Sequence, residues 1–120
     1  MAGLKKHRRV LLTLIKSEPK VIKAVIRQAP SSLIRTLSEI AFNTLRGVIN
    51  LTPSKKRKLA KFKTHLRTLA NKRNNLTVKK RTLQRGGFVS LLASLVGPLL
   101  IEGVTQIVKK IKKKKQWRKN

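Results

Sequence analysis

Residues able to carry out acid–base or metal chemistry are few in this chain of 120 residues. It has no cysteine, two histidines (His7 and His65) and three acidic residues, which are scattered glutamates. Neither histidine has a carboxylate at the spacing of a catalytic pair. The glycines at 86–87 lack the pattern of a phosphate-binding loop. We therefore expect no catalytic residue, no metal site and no cofactor, and predict that the protein is not an enzyme.

The chemistry that the chain does carry is positive charge. Lys and Arg number 31 against 3 acidic residues, which gives a formal net charge of +28 at pH 7. Such a chain repels itself, so a polyanion is its natural partner. Nucleic acid gains binding free energy from counterion release at each phosphate, and an anionic membrane also attracts clustered Lys and Arg. Composition alone does not choose between these two partners.

Thirteen basic residues and no acidic residue lie between Lys55 and Arg85. A merely solvated helix surface usually intersperses acids with bases. We predict that this stretch binds nucleic-acid phosphates without sequence specificity, because no base-reading motif accompanies the charge. A nuclear-localisation signal at 55–58 and membrane binding are the alternatives. The predicted nucleic-acid-binding residues are Lys55, Lys56, Arg57, Lys58, Lys61, Lys63, Arg67, Lys72, Arg73, Lys79, Lys80, Arg81 and Arg85.

The N-terminal half predicts three helices that pack together. The first runs from about Lys5 to Lys16, and Ser17 is the expected N-cap of the second, which has Pro19 in its first turn. The second helix carries an apolar stripe at helical spacing. Ser31 or Ser32 is the expected N-cap of the third, and Gly47 its C-terminal stop.

A fourth, basic amphipathic helix is expected to begin with Thr52 as cap and Pro53 as first residue. Its apolar positions, Leu59, Phe62, Leu66 and Leu69, are spaced three and four residues apart. The asparagines at 74–75 interrupt the helix. We expect residues 76–85 to form a loop or a short helix induced by a ligand.

Residues 88–108 form an apolar segment with a single charge, Glu102. The pair Gly97-Pro98 would kink a helix there, and the uncharged run is short of the roughly twenty residues that span a bilayer. Two interpretations remain open: a membrane-surface helix followed by a basic tail, or a buried helix that completes the core. The residues assigned to membrane or packing contacts are Leu91, Leu92, Leu95, Leu99, Leu100 and Trp117.

These patterns predict an all-α protein: a small helical bundle with a basic amphipathic helix and a C-terminal apolar helix, partly disordered without its ligand. Self-repulsion among the cations is the reason for the expected disorder. The predicted organisation is an N-terminal helical region at 1–50, a nucleic-acid-binding helix and linker at 51–87, the apolar segment at 88–108 and a basic tail at 109–120.

The sequence Gln84-Arg85-Gly86-Gly87-Phe88, followed by Leu91-Leu92 and Leu95, resembles the middle of the adenovirus core protein X (mu) precursor. The short basic core proteins of adintoviruses and polintons are similar. In that family a DNA-condensing part ends in Gly-Gly, an apolar tail follows, and the viral cysteine protease cleaves after the glycines. The resemblance implies a cleavage site formed by Gln84, Gly86, Gly87 and Phe88, with the cut between Gly87 and Phe88.

The resemblance covers roughly residues 79–108. Unlike the adenovirus precursor, this chain is rich in lysine, has a long helical N-terminal part and adds a second basic cluster after the apolar segment. The resemblance therefore implies nothing about the role of the N-terminal helices.

Charge and resemblance together predict a virion or element core protein that binds and condenses double-stranded DNA without sequence specificity. It would be made as a precursor and reside in the virion core, and in the host nucleus during assembly. Its expected partners are double-stranded DNA, a viral cysteine protease, and the capsid or an anionic membrane. The alternatives are a membrane-active or membrane-anchored small cationic protein and an RNA-binding protein of the ribosomal type.

Overall fold

A computed structural model describes residues 3–101 of the chain, and this part is entirely helical, without a strand. The predicted all-α fold is therefore confirmed. The described helices are α1 (Gly3–Lys6), α2 (Arg8–Lys16), α3 (Pro19–Arg27), α4 (Ser31–Leu45), α5 (Pro53–Ala60), α6 (Lys63–Ala70), α7 (Leu76–Leu83), α8 (Phe88–Leu95) and α9 (Gly97–Ile101).

The first predicted helix has the expected extent but is divided at His7, whose φ of −107° and ψ of 19° depart from helical values. Leu4 before the break and Leu11 after it are both buried. At Gly3 the backbone of α1 lies so close to the Thr36 side chain on α4 that a Cβ atom would clash with it. A glycine is therefore needed for α1 to dock on α4.

The expected serine caps of α3 and α4 are wrong. The Ser17 hydroxyl donates to the Thr13 carbonyl at 2.7 Å, and Glu18 takes the N-cap position without a side-chain bond. Pro19 is the first residue of α3, as predicted. At α4 the cap is Pro30, whose carbonyl accepts from the amides of Leu33 and Ile34, so the helix already includes Ser31.

Helix α4 is the centre of the bundle and packs against α1, α6, α7 and α8. It also buries polar side chains: the hydroxyls of Ser38 and Thr44 donate to Ile34 and Ile40 carbonyls at 2.9 and 2.7 Å. These bonds stay within the helix, so the burial leaves no unpaired hydroxyl donor. Helix α4 ends shortly before Gly47, whose φ is +74°, as the sequence predicts.

The predicted basic amphipathic helix is two helices, α5 and α6, separated by a turn at 61–62. The start is as expected: the Thr52 side chain accepts from the Lys55 amide at 3.3 Å, and Pro53 is the first residue. Leu59 on α5 and Leu66 and Leu69 on α6 are all buried.

Of residues 76–85, expected to form a loop or a short induced helix, Leu76–Leu83 form helix α7. The Asn75 side chain caps this helix by accepting from the Val78 amide at 2.9 Å. The asparagines therefore end one helical region and begin the next. Helix α7 packs against α3, α4 and α6.

The described part of the apolar segment lies in the core. Helix α8 packs against α2, α4 and α5, and α9 packs against α2. The Ser90 hydroxyl donates to the Leu14 carbonyl at 3.2 Å, which joins α8 to α2. Buried residues from 1–50, 51–87 and 88–100 belong to one hydrophobic cluster. Within residues 3–101, no helix has the length and apolar character needed to cross a bilayer.

Candidate nucleic-acid interface

The exposed cations of α5 to α7 and their connections form what we call the basic surface. Helix amphipathicity produces it, because four of the five leucines of these helices are buried and most of the Lys and Arg residues are exposed. Residues 41–101 contain no carboxylate, although Glu39 of α4 lies beside Lys72 at the edge of this surface. The basic surface comprises Lys56, Arg57, Lys58, Lys61, Lys63, Arg67, Lys72, Arg73, Arg81 and Arg85, all exposed.

Three further predicted binding residues are partly buried, and two of them hold helices together. The Lys55 Nζ donates to the Ser94 carbonyl on α8 at 3.0 Å. The Lys80 Nζ donates to the Arg27 carbonyl at 3.0 Å, at the C-terminal end of α3, where the helix dipole favours a cation. Burial lowers the pKa of Lys79 from its ordinary value. Their charges therefore act at least partly inside the fold.

An aromatic cluster lies under the junction between the basic surface and α8. The rings of Phe62 and Phe88 stack with centroids 5.4 Å apart. The imidazole of His65 lies 5.7 Å from Phe62 and 5.6 Å from Phe88. Such pairs add to the free energy of simple burial. The cluster therefore fixes the turn between α5 and α6 against the start of α8.

The four residues of the implied cleavage site lie in different environments. Gln84 is half-buried as the C-cap of α7, whereas Gly86 and Gly87 are exposed. Gly87 has a φ of +81° as the N-cap of α8, a conformation that favours glycine. Phe88 is fully buried, and the Gly87 carbonyl accepts from the Leu91 amide at 3.1 Å. The Gly87–Phe88 bond thus joins an exposed turn to a buried helix start.

The residues assigned to membrane or packing contacts are mostly internal. Leu92, Leu95 and Leu100 are buried, and Leu91 is partly buried against the same core. The backbone of Leu99 lies in α9. Trp117 and the basic tail lie outside the described residues.

Two cavities adjoin α6 and α7. The larger, of about 580 Å³, lies beside α4 and is lined by Arg35, Ser38, Glu39, Phe42, Asn43, Ala70, Lys72 and Lys79. The smaller, of about 220 Å³, lies between α6 and α7 and is lined by Thr64, His65, Thr68, Val78, Arg81, Thr82 and Arg85. The larger contains a carboxylate beside its cations, whereas every charged residue around the smaller is an arginine.

The histidines do not form a metal site. Within residues 3–101 no group of His, Cys, Asp or Glu side chains is arranged to hold a metal ion. His7 is buried with its Nε2 unpartnered, and burial, with a smaller contribution from the Lys6 charge, lowers its pKa. His7 belongs to the α1–α2 bend, whereas His65 belongs to the smaller cavity.

The predicted DNA contacts lie at residues 55–85 alone, so they do not include the exposed cations on α1 to α4 and at the C-cap of α4. These helices share the core with α5 to α7, so they add to the same field. The net charge of the whole chain, rather than that of residues 55–85, would have indicated that these cations also contribute. They are Lys5, Lys6, Arg8, Arg9, Lys16, Lys20, Lys23, Arg27, Arg35 and Arg46.

No protein-family model, curated protein or solved structure matches the chain.

Proposed function

We propose that the protein binds duplex DNA through its phosphates, without recognising base sequence, and condenses it. The observation that carries this proposal is the uncompensated charge of the basic surface on a folded scaffold. Acidic residues are absent from 41–101, so the cations of α5 to α7 have no internal counterion on their own helices. DNA phosphates supply that counterion, and binding releases the ions condensed on the duplex.

The dimensions of the molecule fit a contact over a limited length of duplex. Its longest axis measures 50 Å, which corresponds to about fifteen base pairs at ~3.4 Å each. Exposed cations on α1 to α4 extend the field beyond the basic surface. Condensation follows when charge neutralisation lets neighbouring duplex segments approach one another.

The resemblance to adenovirus core protein X precursors supports the more specific proposal of a virion or element core protein. In that role the protein would accompany packaged DNA, and the host nucleus during assembly would be its earlier location. A viral cysteine protease would cleave it between Gly87 and Phe88. Because Phe88 is buried, cleavage of this fold requires the start of α8 to open first.

Membrane insertion has less support in the described part of the chain. The leucines that would enter a bilayer, among them Leu92, Leu95 and Leu100, are buried. Exposing them would require α8 and α9 to leave the core, at the cost of the hydrophobic free energy of that burial. We therefore favour DNA as the anionic partner.

Binding and condensation are tested with two duplexes of unrelated sequence and equal length. Fluorescence anisotropy should give dissociation constants that agree within a few-fold, and light scattering should show compaction of long DNA at stoichiometries that approach charge neutralisation. Single-stranded RNA and anionic vesicles serve as competitors. Preference for one duplex by more than about 10³-fold would contradict phosphate-based binding, and preferential binding to vesicles would favour the membrane alternative.

A further inference from the structure

We infer that the smaller cavity, between α6 and α7, is a phosphate-binding pocket within the basic surface. The inference deepens the proposed DNA binding and rests on it for the source of the phosphate.

Two guanidinium groups of like charge share the wall of this cavity. Arg81 and Arg85 are four residues apart, and both are exposed and line the cavity. Arg81 lies on α7 and Arg85 in the turn that follows it, and like charges on one cavity wall repel each other unless something neutralises them. No carboxylate occurs between residues 41 and 101. An anion bound between the two arginines would remove this repulsion.

The chemistry of the arginines matches phosphate closely. A guanidinium group is planar and presents paired N–H donors at the spacing of two phosphate oxygens. Two such groups on one wall can hold a tetrahedral anion from two sides. The cavity volume of about 220 Å³ is enough for one phosphate group and bound water.

His65 also lines the smaller cavity. Its Nδ1 is buried and has no hydrogen-bond partner among the described residues. An unpaired buried N–H is rarer and more costly than an unpaired lone pair, so in the neutral ring we assign the proton to Nε2. The aromatic contacts with Phe62 and Phe88 hold the ring in place.

The threonines divide into two groups. The hydroxyls of Thr68 and Thr82 donate to the carbonyls of Thr64 and Val78, each at 3.0 Å. Their protons are therefore used within their own helices. Thr64 is exposed at the cavity wall, where its hydroxyl can donate to an anion. The side chains that offer hydrogen-bond donors to phosphate are thus Arg81, Arg85 and Thr64.

The larger cavity shows why charge alone does not define the pocket. Arg35, Lys72 and Lys79 line it, but they share it with Glu39 and with the apolar side chains of Phe42 and Ala70. The carboxylate partly neutralises the cations and repels an anion. Selective phosphate binding therefore belongs to the smaller cavity.

The first test is a titration of the full chain with inorganic phosphate, followed by NMR of arginine side-chain and backbone amides, against chloride at the same ionic strength. We expect phosphate-specific shifts confined to the smaller cavity. They should disappear in the double variant Arg81→Gln, Arg85→Gln and persist in the control Arg57→Gln, Lys58→Gln, which removes the same charge from α5. Shifts spread over the whole basic surface, or equally reduced in both variants, would overturn the pocket.

The second test identifies the source of the phosphate with the same variants and a duplex oligonucleotide. The cavity variant should lose about tenfold more DNA affinity than the α5 control, since charge-assisted hydrogen bonds add to the general charge effect. Arg81→Lys with Arg85→Lys should keep the salt dependence of DNA binding but weaken the localised phosphate shifts. Equal losses of DNA affinity in the cavity and α5 variants would overturn the assignment to nucleic acid and leave free phosphate as the ligand. If neither the wild type nor any variant bound DNA, the proposed function would be overturned. The first test would still show whether the cavity binds phosphate.

Discussion

The basic surface and the α8–α9 region are adjacent in sequence and opposite in composition, yet each depends on the other. The basic surface has charge but little apolar area, whereas α8 and α9 contribute buried residues such as Phe88 and Leu92 and no charged residue. Phe62 on the basic side stacks on Phe88 across the glycine junction. The comparison shows that an apolar segment next to a cationic one in sequence can form part of the core against which the cationic helices pack.

Removing the Phe88 ring from the core should have the largest effect on stability. Phe88→Ala deletes a fully buried ring and should lower the free energy of unfolding by about 3–5 kcal/mol, a large fraction of the stability of a small domain. Lys58→Ala, at an exposed position of the basic surface, should change it by less than about 0.5 kcal/mol. Urea unfolding followed by circular dichroism measures both. Equal effects of the two substitutions would contradict the assignment of α8 to the core.

The junction between the two regions should control proteolysis. Phe62→Ala removes the ring stacked on Phe88 and should increase the rate of cleavage at Gly87–Phe88 by a matching adenovirus-type protease about tenfold, because the start of α8 opens more often. Gly87→Val should block the cut in both backgrounds. Mass spectrometry of the fragments gives the rate and the site. A cleavage rate unaffected by Phe62→Ala would show that opening of this cluster does not limit access.

A lysine whose ammonium group bonds to the core should differ from its exposed neighbour. Lys55→Met removes the bond from Nζ to the Ser94 carbonyl and should lower the unfolding free energy by about 1 kcal/mol. Lys56→Met, at an exposed position one residue later, should have little effect on stability. Both variants remove one charge, so thermal unfolding of the pair isolates the hydrogen bond. Identical melting temperatures would show that Lys55 belongs with the basic surface.

The smallest effect concerns His7 in the α1–α2 bend. Burial, followed by the Lys6 charge, lowers the pKa of His7 in the folded chain below its ordinary value of 6.5, so the unfolded state takes up the proton more readily. The stability contributed by neutral His7 is therefore fully present above that ordinary pKa and is lost as the pH falls below it. His7→Gln should reduce the difference in melting temperature between pH 8 and pH 5. An unchanged difference in melting temperature would show that another group causes the pH dependence.

Much of the fold follows from local sequence signals. Thr52-Pro53, Asn75 and Gly47 mark helix ends in the structure because their side chains or backbone angles act within a few residues. The breaks at His7 and at 61–62 do not follow from such signals. Buried residues lie on both sides of each break, Leu4 and Leu11 at the first and Leu59 and Leu66 at the second.

The environment of the apolar segment could not be predicted for a similar reason. Hydropathy records that residues such as Leu92 and Leu95 avoid water, but a bilayer and a protein core both satisfy that preference. The smaller cavity was also missed, because His65 on α6 and Arg81 and Arg85 near α7 come together only when the helices pack. The charge itself, by contrast, is plain from composition.

The central claim, that exposed cations on a folded scaffold neutralise DNA phosphates, is tested most directly by the salt dependence of binding. The logarithm of the association constant should fall linearly with the logarithm of salt concentration, with a slope of about −0.9 per phosphate contacted. The triple variant Lys56→Gln, Arg57→Gln, Lys58→Gln should flatten the slope by up to about 3 while leaving the circular dichroism spectrum unchanged. An affinity independent of salt, or a triple variant with the slope of the wild type, would contradict the account.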